Sequence, residues 1–521
     1  MSLKQQASQG SEVNERLAAL VTNSNAVRAI ASAVEGTLGP KGLDTMLVDR
    51  FGEVVITNDG VTILSMMEAN HPAAKMVINI AKSQQEEIGD GTTTATVMAG
   101  TLVSSGVDQV AKGVPVARVI EGLKIGLHRA QEAIKEKSLP IREVSDPRIR
   151  QVALVAGREH QDIANLVVEA ASLVGKDKLK DNFFKLADTI LAEEGAENHV
   201  FMGVILGKER MNSQMPRQLE NAKVLVIDDA LQPEEIGEEA LGTERGFARY
   251  LELQEEFRSS IQKIIDLDVK LVLVDRGVDD TAEELLTDAG IMVLQRVSNK
   301  EIRSAAEHSG ARAIKRTGLK KPPEELKQYI GYADKVKSEG KLEQVWVMGG
   351  GGKPMATVLV GAATAEVVGE RSRIAKDAAA SVQAAVRGGI VPGGGSLELY
   401  TAREVEKVRE ETKGMTAFGV DCVVEALKRP VSQIVSNAGF NPLEKIANVN
   451  VAQVEQNNVS LAVNCDSGEL ADMYELGVVD PALVKIHALK AAGEIAEAIL
   501  RIDTIIKMRE EDKKSDLHFE D

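Results

Sequence analysis

Lys223-Val-Leu-Val-Ile-Asp228 and, after a long insertion, Lys270-Leu-Val-Leu-Val-Asp275 are the stretches that decide the fold. Each is a short, unbroken apolar run closed by an aspartate, the pattern of a strand covered on both faces rather than one alternating between core and water. Asp279–Ala289 then reads as helix, Ile291–Val297 as strand and Asn299–His308 as helix. This alternation implies a small α/β domain with some parallel pairing. The insertion between the first two strands has a strongly acidic front, Glu234–Glu244. Its back, Gly246–Ile265, is amphipathic, with Phe247, Tyr250, Leu253, Phe257, Ile261 and Ile264 on one face.

Outward from these strands the apolar spacing turns helical. Val13–Glu35 carries Leu17, Leu20, Val21, Val27, Ile30 and Val34 and stops before the breaker run Gly39-Pro40-Lys41-Gly42. Met46–Val48 and Glu53–Thr57 read as short strands about a Phe51-Gly52 turn, and Asn58-Asp59-Gly60 as a further hairpin turn. Ala73–Glu87, Thr92–Lys112, Pro115–Glu136 and the stretch Pro140–Gly175 read as helix. On the other side, Gly349–Lys353 reads as a hinge or linker, because Lys353 is followed by Pro354 and leads into a strand, Met355–Val360. A helix over Ser372–Arg387 and a mostly helical remainder follow, ending in the charged tail Lys513–Asp521. The pattern predicts a helical domain made of both chain ends, with an α/β domain inserted into it.

Composition narrows the function. The 521 residues carry a net charge of −17 and only 3% aromatics, which argues against a surface that neutralises phosphates or stacks on bases, so no nucleic-acid partner is expected. The two cysteines, Cys422 and Cys465, make no disulfide framework and no Cys-x-x-Cys, which fits a reducing compartment. The seven histidines are scattered, without the spacing of a zinc site. Met1–Glu12 lacks the apolar core of a signal peptide, and no stretch approaches the roughly 20 apolar residues of a membrane span. A soluble, cytoplasmic protein with no membrane partner is expected.

The strongest local signal is Gly89-Asp90-Gly91-Thr92-Thr93-Thr94-Ala95-Thr96, opening a helix. Glycines admit an anion to the backbone, and the first N–H groups of a helix lack intrahelical partners and sit at the positive end of its dipole. Threonine hydroxyls add donors, and Asp90 offers a hard oxygen to Mg²⁺. Read locally, the same residues also make an ordinary threonine cap after a turn. Gly393–Gly395 alone reads as a tight turn, and Asp377, among Ala378, Ala379 and Ala380, as a solvated carboxylate.

As an ordered set, however, Thr37-Leu-Gly-Pro-Lys-Gly42, Ile56-Thr-Asn-Asp-Gly-Val-Thr-Ile63, His71-Pro-Ala-Ala-Lys75, Gly89–Thr96, Val391-Pro-Gly-Gly-Gly395 and Leu500-Arg-Ile-Asp503 resemble the chaperonins, ATP-dependent folding machines. His71–Lys75, Leu500–Asp503 and the insertion at about 231–258 are similar to the archaeal and eukaryotic-cytosolic type, group II, whose lid is built in. The resemblance implies a multidomain α and α/β chaperonin fold. It has a helical equatorial ATP-binding domain (1–139 and 388–521), a small intermediate hinge domain (140–200 and 356–387) and an α/β apical substrate-binding domain (201–355) with the helical protrusion.

The resemblance also implies a site for ATP/ADP and Mg²⁺. Leu38, Gly39 and Pro40 with Gly89, Asp90, Gly91, Thr92, Thr93 and Thr94 match the phosphate loops, with Asp90 the metal ligand. Asp59 and Asp377 match carboxylates that orient the attacking water. Gly394 and Gly395 match the turn against the nucleotide, Asp480 the ribose-side carboxylate, and Asn464 and Cys465 the adenine pocket. Where many group II members carry a lysine that senses the γ-phosphate, Arg158 follows Gly157, a planar fork in place of a point charge. This departure, and a tail without Gly-Gly-Met repeats, point toward the divergent bacterial branch, group III. Unfolded polypeptides are the implied partners of a homo-oligomeric double ring, eight subunits per ring, needing no separate lid cochaperonin. Leu285, Leu286 and Ile302 are candidates to catch clients or to pack the apical core. The rival readings are an ATP-binding holdase or scaffold and a small-molecule phosphotransferase.

Overall fold

Both ends of the chain, residues 1–141 and 387–521, build one unit, and residues 142–386 build a second. The computed structural model describes residues 9–52, 54–234 and 243–504. Most of the acidic front of the insertion and the charged tail therefore lie outside the described residues.

In the first unit, helices Gln9–Glu35, Pro72–Glu87, Val116–Lys137, Thr416–Asn437 and Ala482–Leu500 pack around helix Thr92–Ala111. That helix is apolar nearly all round, with Val97, Met98, Leu102 and Val103 fully buried, as a helix surrounded by others requires. Helices Val116–Lys137 and Thr416–Asn437 approach through a glycine pair: a Cβ on Gly122 would lie 2.7 Å from Gly419 Cα and collide with the Thr416 carbonyl. Leu17–Glu35 is long and apolar enough to cross a membrane by length and composition, a feature the count of uninterrupted apolar residues missed. Its face of Leu20, Val27, Ile30 and Val34 is instead buried in this core.

The strands Thr45–Val48 and Val54–Thr57 form an antiparallel hairpin. Asn58-Asp59-Gly60, expected to be another hairpin turn, starts a helix instead. Asp59 is the N-cap of Gly60–Met66, its Oδ2 accepting from the Thr62 backbone N–H at 2.9 Å and from the Thr62 hydroxyl at 2.6 Å. Helix capping outweighs the hairpin preference because an acceptor side chain is followed by donors one turn on. Pro140–Gly175 is likewise not continuous helix but Pro147–Ala156 and Gln161–Val174.

The second unit holds an eight-stranded sheet: β1 Ile190–Glu194, β2 His199–Leu206, β3 Gln218–Ile227, β4 Val269–Val274, β5 Met292–Leu294, β6 Gly331–Glu339, β7 Gln344–Gly350 and β8 Ala356–Ala362. Their order is β1-β8-β2-β7-β6-β3-β4-β5. The β3–β4 and β4–β5 pairs are parallel, as the two apolar runs predict. Alternate residues of these strands serve two cores. Val224, Val226, Leu271 and Leu273 pack with Ile302 and Ala305 of helix Asn299–Ser309, whereas Leu225, Ile227, Val272 and Val274 pack with helices Glu244–Asp266 and Asp280–Asp288. Strand β2 spans the expected boundary at residues 200/201. Its first half pairs with β8 and its second half with β7.

This arrangement bears on three readings. The amphipathic back of the insertion is the β3–β4 crossover helix. Leu253, Phe257, Ile261 and Ile264 are buried on the sheet, and only the earlier Phe247, Tyr250 and Leu251 are exposed. Leu286, with partly buried Leu285 against it, belongs to one of these cores and Ile302 to the other, Leu286 and Ile302 at most 2% exposed, so all three pack the core. The Gly349–Lys353 run is no linker. It closes β7 and is strapped to the end of helix Asn299–Ser309, with Gly350 N donating to His308 Nε2 at 2.9 Å and Gly352 N to the His308 carbonyl at 2.8 Å.

Candidate nucleotide site

The Gly89–Thr94 turn lies in the first unit, at the start of helix Thr92–Ala111. Gly89 and Gly91 both adopt left-handed backbone, with φ of 83° and 78°. Gly91 caps the helix without a side chain, so the first amides of that helix are presented rather than covered by a cap. A Cβ at Gly91 would come within 2.6 Å of Val484 Cγ1, so the turn tolerates no side chain there. Asp90 Oδ1 accepts from Gly91 N at 2.6 Å. The Asp90 carbonyl accepts from the fully buried Gln84 amide at 2.7 Å.

Of two further loops in the same unit, one meets this turn. The Asp59 cap reaches it through Gly60, where an added Cβ would collide with Thr93 Oγ1 and lie 3.2 Å from both Thr92 Oγ1 and Thr93 N. Asp59 itself is 8% exposed, a carboxylate held by the Thr62 donors at the mouth of the cradle. Leu38, Gly39 and Pro40 follow helix Gln9–Glu35. Asn437 Nδ2 donates to the Leu38 carbonyl at 2.9 Å and to the Glu35 carbonyl at 3.1 Å, fixing the loop from the end of helix Thr416–Asn437. Gly39, at φ 85°, leaves room for Ile434, 3.1 Å from where its Cβ would stand.

A second cluster in the same unit gathers Gly394, Gly395, Asn464, Cys465 and Asp480. Strands Ile390–Pro392 and Val479–Pro481 pair so that Val391 stands opposite Asp480. The Asp480 carboxylate sits 3.2 Å from the position of a Gly393 Cβ. Gly394 and Gly395 turn with φ of 61° and 79° into helix Ser396–Glu411. Asn464 and Cys465 occupy the turn between strands Leu461–Val463 and Leu470–Asp472. A Gly394 Cβ would stand 2.8 Å from Met473 Sδ and 3.9 Å from Ala462 Cβ, next to that strand pair. An ion pair of 2.5 Å between Lys41 and Asp466 joins this turn to the Leu38–Pro40 loop. Burial pushes the Cys465 thiol above its ordinary range, so Cys465 lines the turn as a neutral group.

Sequence reading missed the residues that hold these loops. Lys485 is buried in the first turn of helix Ala482–Leu500, 2.8 Å from Asp480 Oδ2 and 2.5 Å from Glu398 Oε1. Burial pulls its pKa down, but the Asp480 and Glu398 carboxylates outweigh this and hold the ammonium above its usual range. Gln84, Glu398 and Asn437 carry no local signature. A buried charged residue inside an apolar helical run, as in Ala482-Leu-Val-Lys485-Ile, is the one clue the chain offers.

Arg158 and Asp377 belong to the second unit. Arg158 has φ 50° and Glu159 φ 63°, two successive left-handed residues that are not glycine. Such backbone is held by its surroundings, here an Arg158 ion pair of 2.5 Å to Glu370 and an approach of 3.9 Å to Asp377 on helix Ala365–Gly388. The Asp377 side chain is only 15% exposed, so it is not the solvated carboxylate its alanine neighbours suggest.

The donor set suits a magnesium nucleotide: one hard carboxylate, Asp90, three threonine hydroxyls and helix-start amides. Among the described residues no three His, Cys, Asp or Glu gather, so a cation at Asp90 would take its remaining ligands from phosphate and water, as Mg²⁺ characteristically does.

Residues 30–510 match the TCP-1/cpn60 chaperonin family. The chain is 33% identical over 509 residues to a thermosome subunit of Pyrococcus abyssi, covering 94% of this chain and 91% of that one. It is 32% identical over 508 residues to a thermosome subunit beta of Sulfolobus acidocaldarius, covering 94% and 90%. Its fold superposes on the crystal structure of a group III chaperonin in the open state with a TM-score of 0.87, at 47% identity, over 95% of this chain and 100% of that one.

Proposed function

The chain belongs to the TCP-1/cpn60 chaperonin family, and from that premise we propose that it hydrolyses ATP with Mg²⁺ to drive the enclosure and folding of non-native polypeptides. It is an ATP-dependent chaperonin subunit of the group II/III type. The observation that carries the catalytic reading is the approach of the Asp59 cap to the threonine turn through Gly60, in the unit that also holds the Leu38–Pro40 loop.

On this reading, Gly39, Gly91 and the amides and hydroxyls of Thr92–Thr94 hold the phosphates, and Asp90 holds the metal, which neutralises phosphate charge when bound. Asp59 accepts a hydrogen bond from the attacking water and aims it in line. Asp480, Gly394, Gly395, Asn464 and Cys465 hold the ribose and base. Asp377 is assigned as the second carboxylate that orients the attacking water and Arg158 as the γ-phosphate-sensing cation, as the resemblance implies. We assign residues 1–139 and 388–521 as equatorial, 140–200 and 356–387 as intermediate, and 201–355 as apical. The subunits assemble as a cytoplasmic homo-oligomeric double ring with eight per ring and a built-in lid at about 231–258.

The test is the refolding yield of a chemically denatured enzyme with this protein alone, with and without Mg-ATP. ATP-dependent recovery without an added lid protein supports the reading. Capture of the client without ATP-driven release supports a holdase, and no capture overturns the reading.

A further inference from the structure

The Asp90 turn is held from behind by a chain of three hydrogen bonds whose directions are fixed by their chemistry. Gln84 Nε2 has two protons. It gives one to the Asp90 carbonyl at 2.7 Å and the other to the Val484 carbonyl at 3.2 Å. Both partners are backbone carbonyls, which only accept, so the orientation of the amide is settled. Gln84 Oε1 must then face His487, whose Nδ1 stands 2.6 Å away. An amide oxygen only accepts, so His487 Nδ1 must carry a proton. The same Gln84 carbonyl group in the main chain accepts from Gly89 N at 3.0 Å, so one residue grips both ends of the Gly89–Asp90 segment.

We propose that Gln84 and His487 are positioning residues for the magnesium nucleotide. Through the Gln84 amide, His487 fixes the Asp90 carbonyl, and with it the aim of the Asp90 carboxylate and of the Gly91–Thr93 amides. The inference deepens the nucleotide-site reading and rests on it. Gln84 is wholly enclosed, so an unmatched polar atom there finds no water to replace a lost partner. Burial lowers the His487 pKa, which favours the neutral ring with its proton on Nδ1. The charged groups about it are Glu87 on the facing helix and Lys490 and Glu494 on its own. Helix Thr92–Ala111 contributes only the distant Asp108, and helix Val116–Lys137 meets Ala482–Leu500 through Lys124 and Glu497, well along the helix.

The test uses the full-length protein and measures Mg²⁺-dependent affinity for ADP by calorimetry, KM and kcat for Mg-ATP, and thermal unfolding. His487→Leu removes the Nδ1 donor and is expected to weaken Mg-ADP binding roughly five- to tenfold, with a modest fall in the unfolding midpoint from the unmatched Gln84 Oε1. His487→Gln supplies an N–H donor and restores affinity to within about twofold, whereas His487→Glu, which offers only acceptors at neutral pH, does not. Gln84→Glu, which cannot give two protons to the two carbonyls, behaves like His487→Leu or worse. Asp90→Ala separates the two levels of the argument. If Asp90→Ala abolishes Mg-dependent binding while all His487 variants match the parent, the positioning role is overturned and the site stands. If Asp90→Ala leaves Mg-dependent binding intact, the site assignment itself falls.

Discussion

The guanidinium of Arg158 stands 3.9 Å from the carboxylate of Asp377 and 2.5 Å from that of Glu370. The Arg158 cation is thus engaged by two carboxylates within its own unit.

On the proposed function, Asp377→Ala is expected to bind ATP within a few-fold of the parent and to lose about 10²-fold or more in turnover, the range for removing a group that orients or polarises a nucleophile. Parallel calorimetry and phosphate-release assays check this. Equal turnover in variant and parent removes Asp377 from the mechanism.

Gly60 is the contact through which the Asp59 cap touches the threonine cradle. A Cβ there collides with Thr93 Oγ1 and crowds Thr93 N at 3.2 Å. Gly60→Ala is expected to lower ATPase activity at least about tenfold by shifting the reacting groups apart, with a smaller effect on the unfolding midpoint. Activity at the parental level would show that the Asp59 and Thr93 segments move independently.

Lys485 compensates two carboxylates, Asp480 at 2.8 Å and Glu398 at 2.5 Å, in a site it fills almost without exposure. Lys485→Met leaves both acids without their cation and is expected to cost about 3–5 kcal/mol in denaturant unfolding. Replacing Glu398 by Gln should cost clearly less, since the Lys485–Asp480 pair remains. A loss below about 1 kcal/mol in Lys485→Met would contradict the compensating role.

His308 is 1% exposed and accepts at Nε2 from Gly350 N while its Nδ1 meets the Lys353 carbonyl at 3.2 Å. Burial lowers its pKa, opposed by the Lys353 contact. The folded state therefore binds the proton less well than the unfolded chain. The stability it contributes is present above the unfolded-state value of about 6.5 and is lost as pH falls below it. His487 carries a lowered pKa as well and adds a slope of the same sign. The unfolding midpoint should decline between about pH 7 and pH 5, and less steeply in His308→Gln. An identical slope in parent and variant would remove His308 as a source.

The α/β unit was legible because strands 223–228 and 270–275 are covered on both faces, and double coverage writes an unbroken apolar run into the chain. The Gly91 turn was legible for the same local reason, since left-handed backbone calls for glycine. Burial along the crossover helix was not. Apolar spacing tells which face of Glu244–Asp266 is apolar but not how far the sheet extends beneath it, and Phe247 and Phe257 share a face with opposite exposure. Asp59 was misread because Asn-Asp-Gly serves hairpins and caps alike, and the deciding donor, Thr62, lies a turn further on. The site as a whole was reached through resemblance. The Gln84–Val484 and Asn437–Leu38 contacts span 400 and 399 residues, distances at which spacing carries no information.

Such separations also set the order of biosynthesis. Residues 142–386 leave the ribosome as one continuous piece with their own core, whereas the other unit cannot close until helix Ala482–Leu500 has been made. Until then the helices from Gln9 to Lys137 present the apolar faces that Ala482–Leu500 and Thr416–Asn437 will cover. Domains tend to fold as units as they emerge, so the inserted piece matures first and the nascent chain stays adhesive to its last turns. Premature termination within helix Ala482–Leu500 yields a finished insert on an unfinished base, itself a substrate for chaperones.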